Sequence, residues 1–210
     1  MNRIFIFISI MAAVFGTDNA IAQSLFEGKL TYYQSSSRLK DVDKVFHLYC
    51  KGYDFVEQRT NAFFTYRVIY THSSHEWVSI SCFDDQQCQI ERKRIEKDTT
   101  ETIHIFRDSV VDIKGYTCIK VEMRNNSPQK DVKHSVLWVD TSYRIPFHYG
   151  YFEELPYGLV VKTELTVILS KGSPIPFTIE LLQSEPGLVD EKLFVVPEEP
   201  VDKNVKDDNR

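Results

Sequence analysis

Polar and apolar residues alternate with a period of two along most of this chain. Leu30-Thr31-Tyr32-Tyr33 follows Gly28, and Val45 to Tyr49 runs up to Lys51-Gly52. Phe63 to Tyr70 alternates, as do Trp77 to Ser81 and Gln89 to Arg92. Thr102 to Phe106, Val110 to Ile113, Cys118 to Glu122 and Ser135 to Val139 follow, and two longer segments, Leu159 to Leu169 and Phe177 to Leu182, close the series. Successive side chains of a strand point to opposite faces, so this period marks half-buried strands separated by turns. About ten to twelve such strands predict a mainly β fold, a large curved antiparallel sheet or half-open β-barrel with few helices. Ser35 to Lys44 is polar and has room for one helical turn or a loop. Glu91 to Glu101 is strongly charged and reads as the solvated end of a hairpin, while Gly115 after Lys114 is a turn signal.

The two ends of the chain break this pattern. Met1-Asn2-Arg3 precedes an apolar run from Ile4 to Phe15, interrupted only by Ser9, and Ala20-Ile21-Ala22 follows. A basic start, a short apolar run and a small-x-small ending are the parts of a cleavable secretory signal peptide. A helix that crosses a bilayer needs about 20 apolar residues, more than this run offers. Residues 1–22 are therefore expected to be a signal peptide, with Gln23 the first mature residue. No cysteine follows the run, so the lipid-anchored variant of the signal is not expected. Residues 23–197 are expected to form a single β-rich domain, and 198–210, polar but for Val201 and Val205, a disordered tail. The product is expected in the periplasm or outside the cell, with no transmembrane segment after cleavage.

Composition sharpens the class. Aromatic residues make up 13% of the chain, with 14 Phe and 11 Tyr, which suits pleated, half-buried surfaces. The formal net charge is -5 and no basic block is present, which argues against nucleic acid and against docking on an anionic membrane. The four cysteines, Cys50, Cys82, Cys88 and Cys118, suit two disulfides in an oxidising compartment. Cys82–Cys88 with Cys50–Cys118 is the favoured connectivity, because the short segment between Cys82 and Cys88 can turn back on itself. Four buried thiols are the alternative, and the paired spacings of a structural zinc site are missing.

Chemistry is sparse. Thr71 to Trp77 holds His72 and His75, which could share a metal ion if they lay on one face, but the segment sits between two strands and lacks an evident third ligand beyond His47 or Asp84. It reads as a polar hairpin loop, and no metal site is assigned. No Gly-x-Ser-x-Gly elbow, phosphate-binding loop or dinucleotide fingerprint occurs in a chain with only 8 Gly, so no catalytic residue and no cofactor are implied. Asp84-Asp85 and Glu153-Glu154 are neighbours that a strand would send to opposite faces, and they read as solvated turns. Asn125-Asn126-Ser127 matches a glycosylation sequon.

Three further stretches resemble a family. Ile113-Lys114-Gly115-Tyr116-Thr117-Cys118-Ile119-Lys120 resembles the I-x-G-Y-x-C-x-K segment of the GLPGLI family of exported Bacteroidota proteins. Val136-Leu137-Trp138-Val139 with Ile145-Pro146 resembles its W-Y-T…I-P segment, and Leu155-Pro156-Tyr157-Gly158-Leu159-Val160 stands where the family has its name motif. Glu154 replaces the first Gly, Tyr157 is inserted and Val160 stands in for Ile. The ending, Phe177 to Leu182 and then Leu193-Phe194-Val195-Val196-Pro197, is similar to the close of lipoprotein-carrier-like periplasmic proteins. That resemblance implies a curved sheet around an apolar groove, with a lipid or an envelope protein as partner. It implies no catalytic residue. Gly115 and Gly158 are then turn residues, Pro146 and Pro156 strand terminators, and Tyr116 and Trp138 core or pocket-lining aromatics. The sequence therefore supports a non-enzymatic binding or carrier module for a lipophilic group. A packed envelope interaction protein and a histidine-dependent metal hydrolase stand as alternatives. Oligomeric state is left open.

Overall fold

The computed structural model describes residues 24–39, 44–60, 64–83, 87–94, 100–127, 131–145, 158–168 and 173–197. The signal-peptide reading, the tail, Asp84, Asp85, Pro146, Glu153, Glu154 and Pro156 lie outside the described residues. Among the described residues thirteen strands occur in chain order: β1 (Ser24–Leu25), β2 (Gly28–Ser35), β3 (Lys44–Lys51), β4 (Asp54–Thr60), β5 (Phe64–Thr71), β6 (Glu76–Phe83), β7 (Gln87–Arg94), β8 (Glu101–Ile113), β9 (Tyr116–Asn125), β10 (Val132–Asp140), β11 (Tyr143–Arg144), β12 (Leu159–Val167) and β13 (Ile175–Pro186). Eleven of them form one sheet in the order β7-β6-β5-β4-β3-β2-β13-β12-β10-β9-β8. β1 and β11 make a separate short parallel pair. No α-helix is present among the described residues, and Glu191–Phe194 forms a single 3-10 turn. The mainly β reading holds, and the sheet is not closed into a barrel, because β7 and β8 end the order unpaired with each other.

Covalent connectivity shows how far the sheet is rolled. A flat sheet of this order would span ten strand spacings of about 4.8 Å, roughly 48 Å from edge to edge. Yet Arg94 at the end of β7 and Glu101 at the start of β8 are seven residues apart in the chain. Even a fully extended chain covers no more than about 3.6 Å per residue, or roughly 25 Å over this stretch. The two outer strands must therefore approach one another, and the sheet curls. Glu91 to Glu101 is consequently not one hairpin end, as the charge run suggested, since β7 and β8 lie at opposite ends of the order. Thr102 to Phe106 and Val110 to Ile113 are likewise one strand, carried across an irregularity between Phe106 and Val110.

Alternation decides which side chains face inward. Leu30 and Tyr32 of β2 lie opposite Leu48 and Phe46 of β3, and Cys50 of β3 lies opposite Phe55 of β4. Phe55 pairs with Tyr70 of β5, and Leu181 of β13 pairs with Tyr32. These residues, with Ile179, Leu159, Val161, Cys118 and Phe26, form the main core cluster. A register shift between Trp138 and Val139 lets Leu159 and Cys118 join this cluster, while Val160 and Ile119 pack with Val121, Leu137 and Val139 in a second one. The opposite face of β4 to β7 is apolar too, through Val56, Ile69, Val78 and Ile80. Leu193, Phe194 and Val196 cover it. Asp190 caps the 3-10 turn that presents them, accepting from Lys192 N at 2.9 Å. Arg67 donates to the carbonyls of Leu193 and Val195 at 3.3 and 3.0 Å, and Lys51 pairs with Glu191.

Cys82 and Cys88 are directly opposed in β6 and β7 and form a disulfide, as the short spacing predicted. The expected Cys50–Cys118 bond is corrected. Both are free, buried thiols, Cys50 on β3 and Cys118 on β9, with β2, β13, β12 and β10 between their strands. They share a core cluster with the residues around them without being joined.

Candidate functional site

The inward face of β2 to β6, β12 and β13 is the surface on which a function can be built. Its floor is aromatic: Tyr32 stacks on Phe46 with ring centroids 5.3 Å apart, and Phe55 stacks on Tyr70 at 4.9 Å. Tyr32 is anchored by a hydrogen bond to the carbonyl of Val160 at 2.9 Å, and burial drives its phenol far above the ordinary range. Burial pushes the Cys50 thiol up in the same way. At the end where β4 finishes and β5 begins, the inward side chains are only half-buried. Phe64 and Tyr66 of β5 lie there on the alternation that carries Val68 and Tyr70 inward, as do Leu165 of β12 and its partner Phe177 of β13. Trp77, opposite Tyr70, is half-buried on the same face at the other end.

A charged cluster interrupts this apolar face. Glu57, with only 5% of its surface exposed, receives a hydrogen bond from Arg59 Nε. Arg59 also donates to Gln34 Oε1 at 2.8 Å, and its guanidinium lies 4.1 Å from the centre of the Phe46 ring. A carboxylate is expensive to bury unless it is paired, and stacking with donated hydrogen bonds is what makes this pair tolerable. Tyr66 sits opposite Arg59, and its phenol is raised first by burial and then by Glu57. An apolar wall with a few fixed polar groups is the usual composition of a small-molecule site. This cluster was missed in the sequence reading. Its signal was Glu57-Gln58-Arg59 on a strand whose inward positions otherwise carry Phe55, because alternation puts both charges on the buried side.

The residues singled out from sequence are placed as follows. Tyr116 opens β9 and packs against the main cluster. Trp138 packs against the main cluster with Lys162 Nζ 5.0 Å from its ring centre. Gly115 follows Lys114 in the β8–β9 turn, at φ 84° and 55° respectively. Gly158 immediately precedes β12. It donates to Ile145 O at 2.9 Å, and a Cβ there would meet Val139 Cγ1 at 2.3 Å. Asn125 of the sequon is buried, and its side-chain oxygen accepts from Ser127 N at 2.8 Å and Thr100 Oγ1 at 3.3 Å. His47 lies on β3 beside Thr31 Oγ1, at 3.2 Å, and does not join His72 and His75, which occupy the β5–β6 turn. An open polar depression lined by Arg124, Asn125, Asn126, Lys133 and His134 lies at the start of β10, away from the aromatic floor.

No family model matches the sequence, so the GLPGLI resemblance gains no support, and no curated protein matches it. Among solved structures, a domain described as an outer membrane lipoprotein-sorting protein from Vibrio parahaemolyticus is 7% identical, with 80% of this chain and 87% of that chain covered and a TM-score of 0.22. A LolA superfamily protein from Nitrosomonas europaea is 12% identical, with 83% and 91% covered and a TM-score of 0.25. At such TM-scores neither carries an argument about function.

Proposed function

We propose that this chain is an exported, non-enzymatic binding module that holds a lipid or another lipophilic group against the inward face of its open sheet. The observation that carries the reading is the half-buried apolar rim of Phe64, Tyr66, Leu165 and Phe177, continuous with the aromatic floor of Tyr32 and Phe46. Apolar side chains left partly in water on the concave side of a rolled sheet gain stability when an acyl chain covers them, about 25 cal/mol for each Å² removed from water. The Glu57–Arg59–Gln34 group supplies a fixed polar point along that face.

The test is native mass spectrometry of protein purified without detergent, followed by displacement of a fluorescent fatty acid. The expected result is a co-purifying species of lipid mass. Leu165→Glu and Phe177→Glu should each weaken probe binding by roughly tenfold or more, because a charge must then be buried under the acyl chain. A bare protein mass together with no probe binding by the wild type would sink the reading and leave a packed interaction scaffold.

A further inference from the structure

We propose that His72 and His75 form a binding site for a divalent late transition-metal ion, of the zinc(II) or copper(II) kind, at the tip of the β5–β6 hairpin. Along a strand these two residues would diverge, and the sequence alone offers no helix to align them. The turn does that work. His75 N donates to His72 O at 3.2 Å, and His75 takes a left-handed φ of 51°, so the chain doubles back between them. The two imidazoles lie with ring centroids 5.5 Å apart at 68°. A metal–nitrogen bond of about 2.0–2.1 Å places an ion roughly 3 Å from the ring centre. Two rings sharing one ion thus have centres up to roughly 6 Å apart, and the observed spacing fits with a wide angle at the metal.

The surroundings prepare one of the two rings. Tyr70 Oη lies 3.5 Å from His72 Nδ1, and the Tyr53 ring packs on the His72 ring with centroids 5.1 Å apart. Asp54 Oδ1 accepts from the His72 backbone N–H at 2.8 Å and fixes the start of the turn. With Nδ1 turned to Tyr70, Nε2 is the nitrogen that His72 presents to a ligand. An outer partner on one ring nitrogen orienting the other toward a metal is a recurrent arrangement, and such partners affect affinity about 10- to 100-fold. Ser73 and Ser74 between the histidines are exposed, so an ion can reach the site from solvent. No third His, Cys, Asp or Glu completes a cluster among the described residues, so water fills the remaining positions. Imidazole donors with water select zinc(II) or copper(II) over magnesium and calcium, which prefer oxygen.

The experiment titrates the full chain with Zn²⁺ against a chromophoric chelator, and with Cu²⁺ followed by electron paramagnetic resonance. The expected result is one saturable ion per chain, two nitrogen ligands in the copper spectrum, and no response to Mg²⁺. His72→Gln and His75→Gln should each weaken zinc binding by roughly tenfold or more and reduce the copper spectrum to one nitrogen. His104→Gln, on exposed β8, should change neither. Saturation equal to wild type in the double variant, or no saturable Zn²⁺ binding by the wild type, would overturn the proposal. Circular dichroism of each variant separates lost ligands from lost fold, and ¹⁵N shifts of the His72 ring in the wild type report directly whether Nε2 is the nitrogen that binds.

Discussion

At the scale of single residues, the tightest constraint falls on Gly158. Its Cβ position is occupied by Val139, a fully buried residue of the neighbouring strand, so even a methyl group must displace packed core. Overpacking of this sort costs about 1–3 kcal/mol. Gly158→Ala should therefore lower the thermal midpoint by several degrees, and a chain that melts at the wild-type temperature would mean that β10 and β12 can separate without loss. The sequence pointed to Gly158 for another reason, as a turn residue within a resembling motif. The close approach of two strands is a separate constraint on it and was not legible, because it depends on which residue the register places opposite. Glu57 and Arg59 illustrate the converse. Alternation alone assigns them to the inward face, and charge made that assignment easy to overlook.

At the scale of elements, the C-terminal segment is held by directed bonds as well as by burial. Arg67 points away from the aromatic floor, and its guanidinium, partly desolvated, donates to two carbonyls of the segment that covers Val56 and Val78. Hydrogen bonds from charged groups contribute about 1.5–3 kcal/mol each at most. Arg67→Ala should loosen residues 190–197 ahead of the sheet. Amide hydrogen exchange would then show faster exchange at Leu193 and Val195, with β2 and β3 protected as in wild type. Equal protection of the segment in the variant would show that apolar contact alone retains it. The strands themselves were largely legible, since period-two alternation is a local signal. Their order was not. Pairing of β2 with β13 joins residues some 150 positions apart by the register Leu30↔Ser184, and nothing local in either strand names the other.

At the scale of the whole molecule, stability should fall in alkali. Burial, and after it Asp140 and Asp112, pushes the Cys118 thiol from an ordinary 9.0 up to about 11. The unfolded chain thus releases this proton before the folded one does. The stabilisation is complete below about pH 9 and is lost as pH rises toward 11, on the order of 2 kcal/mol over the interval. Cys50, raised by burial from the same ordinary 9.0, adds to the loss from about pH 9 upward, and Tyr32, raised from 10.0, adds to it from about pH 10. Denaturant midpoints should drop between pH 9 and 11, with a shallower drop in Cys118→Ala; identical slopes would place the alkaline sensitivity elsewhere. The missing Cys50–Cys118 bond follows from the same scale. Counting cysteines gives an even number, but only the tertiary path decides whether two of them meet.

The strand count itself has a consequence for the opening in the sheet. Every neighbouring pair in the eleven-strand order is antiparallel, so direction reverses at each of ten steps and the first and last strands run the same way. An odd number of alternating strands cannot be zipped shut by one more antiparallel ladder. However closely curvature brings β7 and β8 together, parity forbids the closure that would complete a cylinder in the manner of its other seams. A seam between them would have to be a parallel ladder, whose slanted hydrogen bonds differ from those of the ten seams already made.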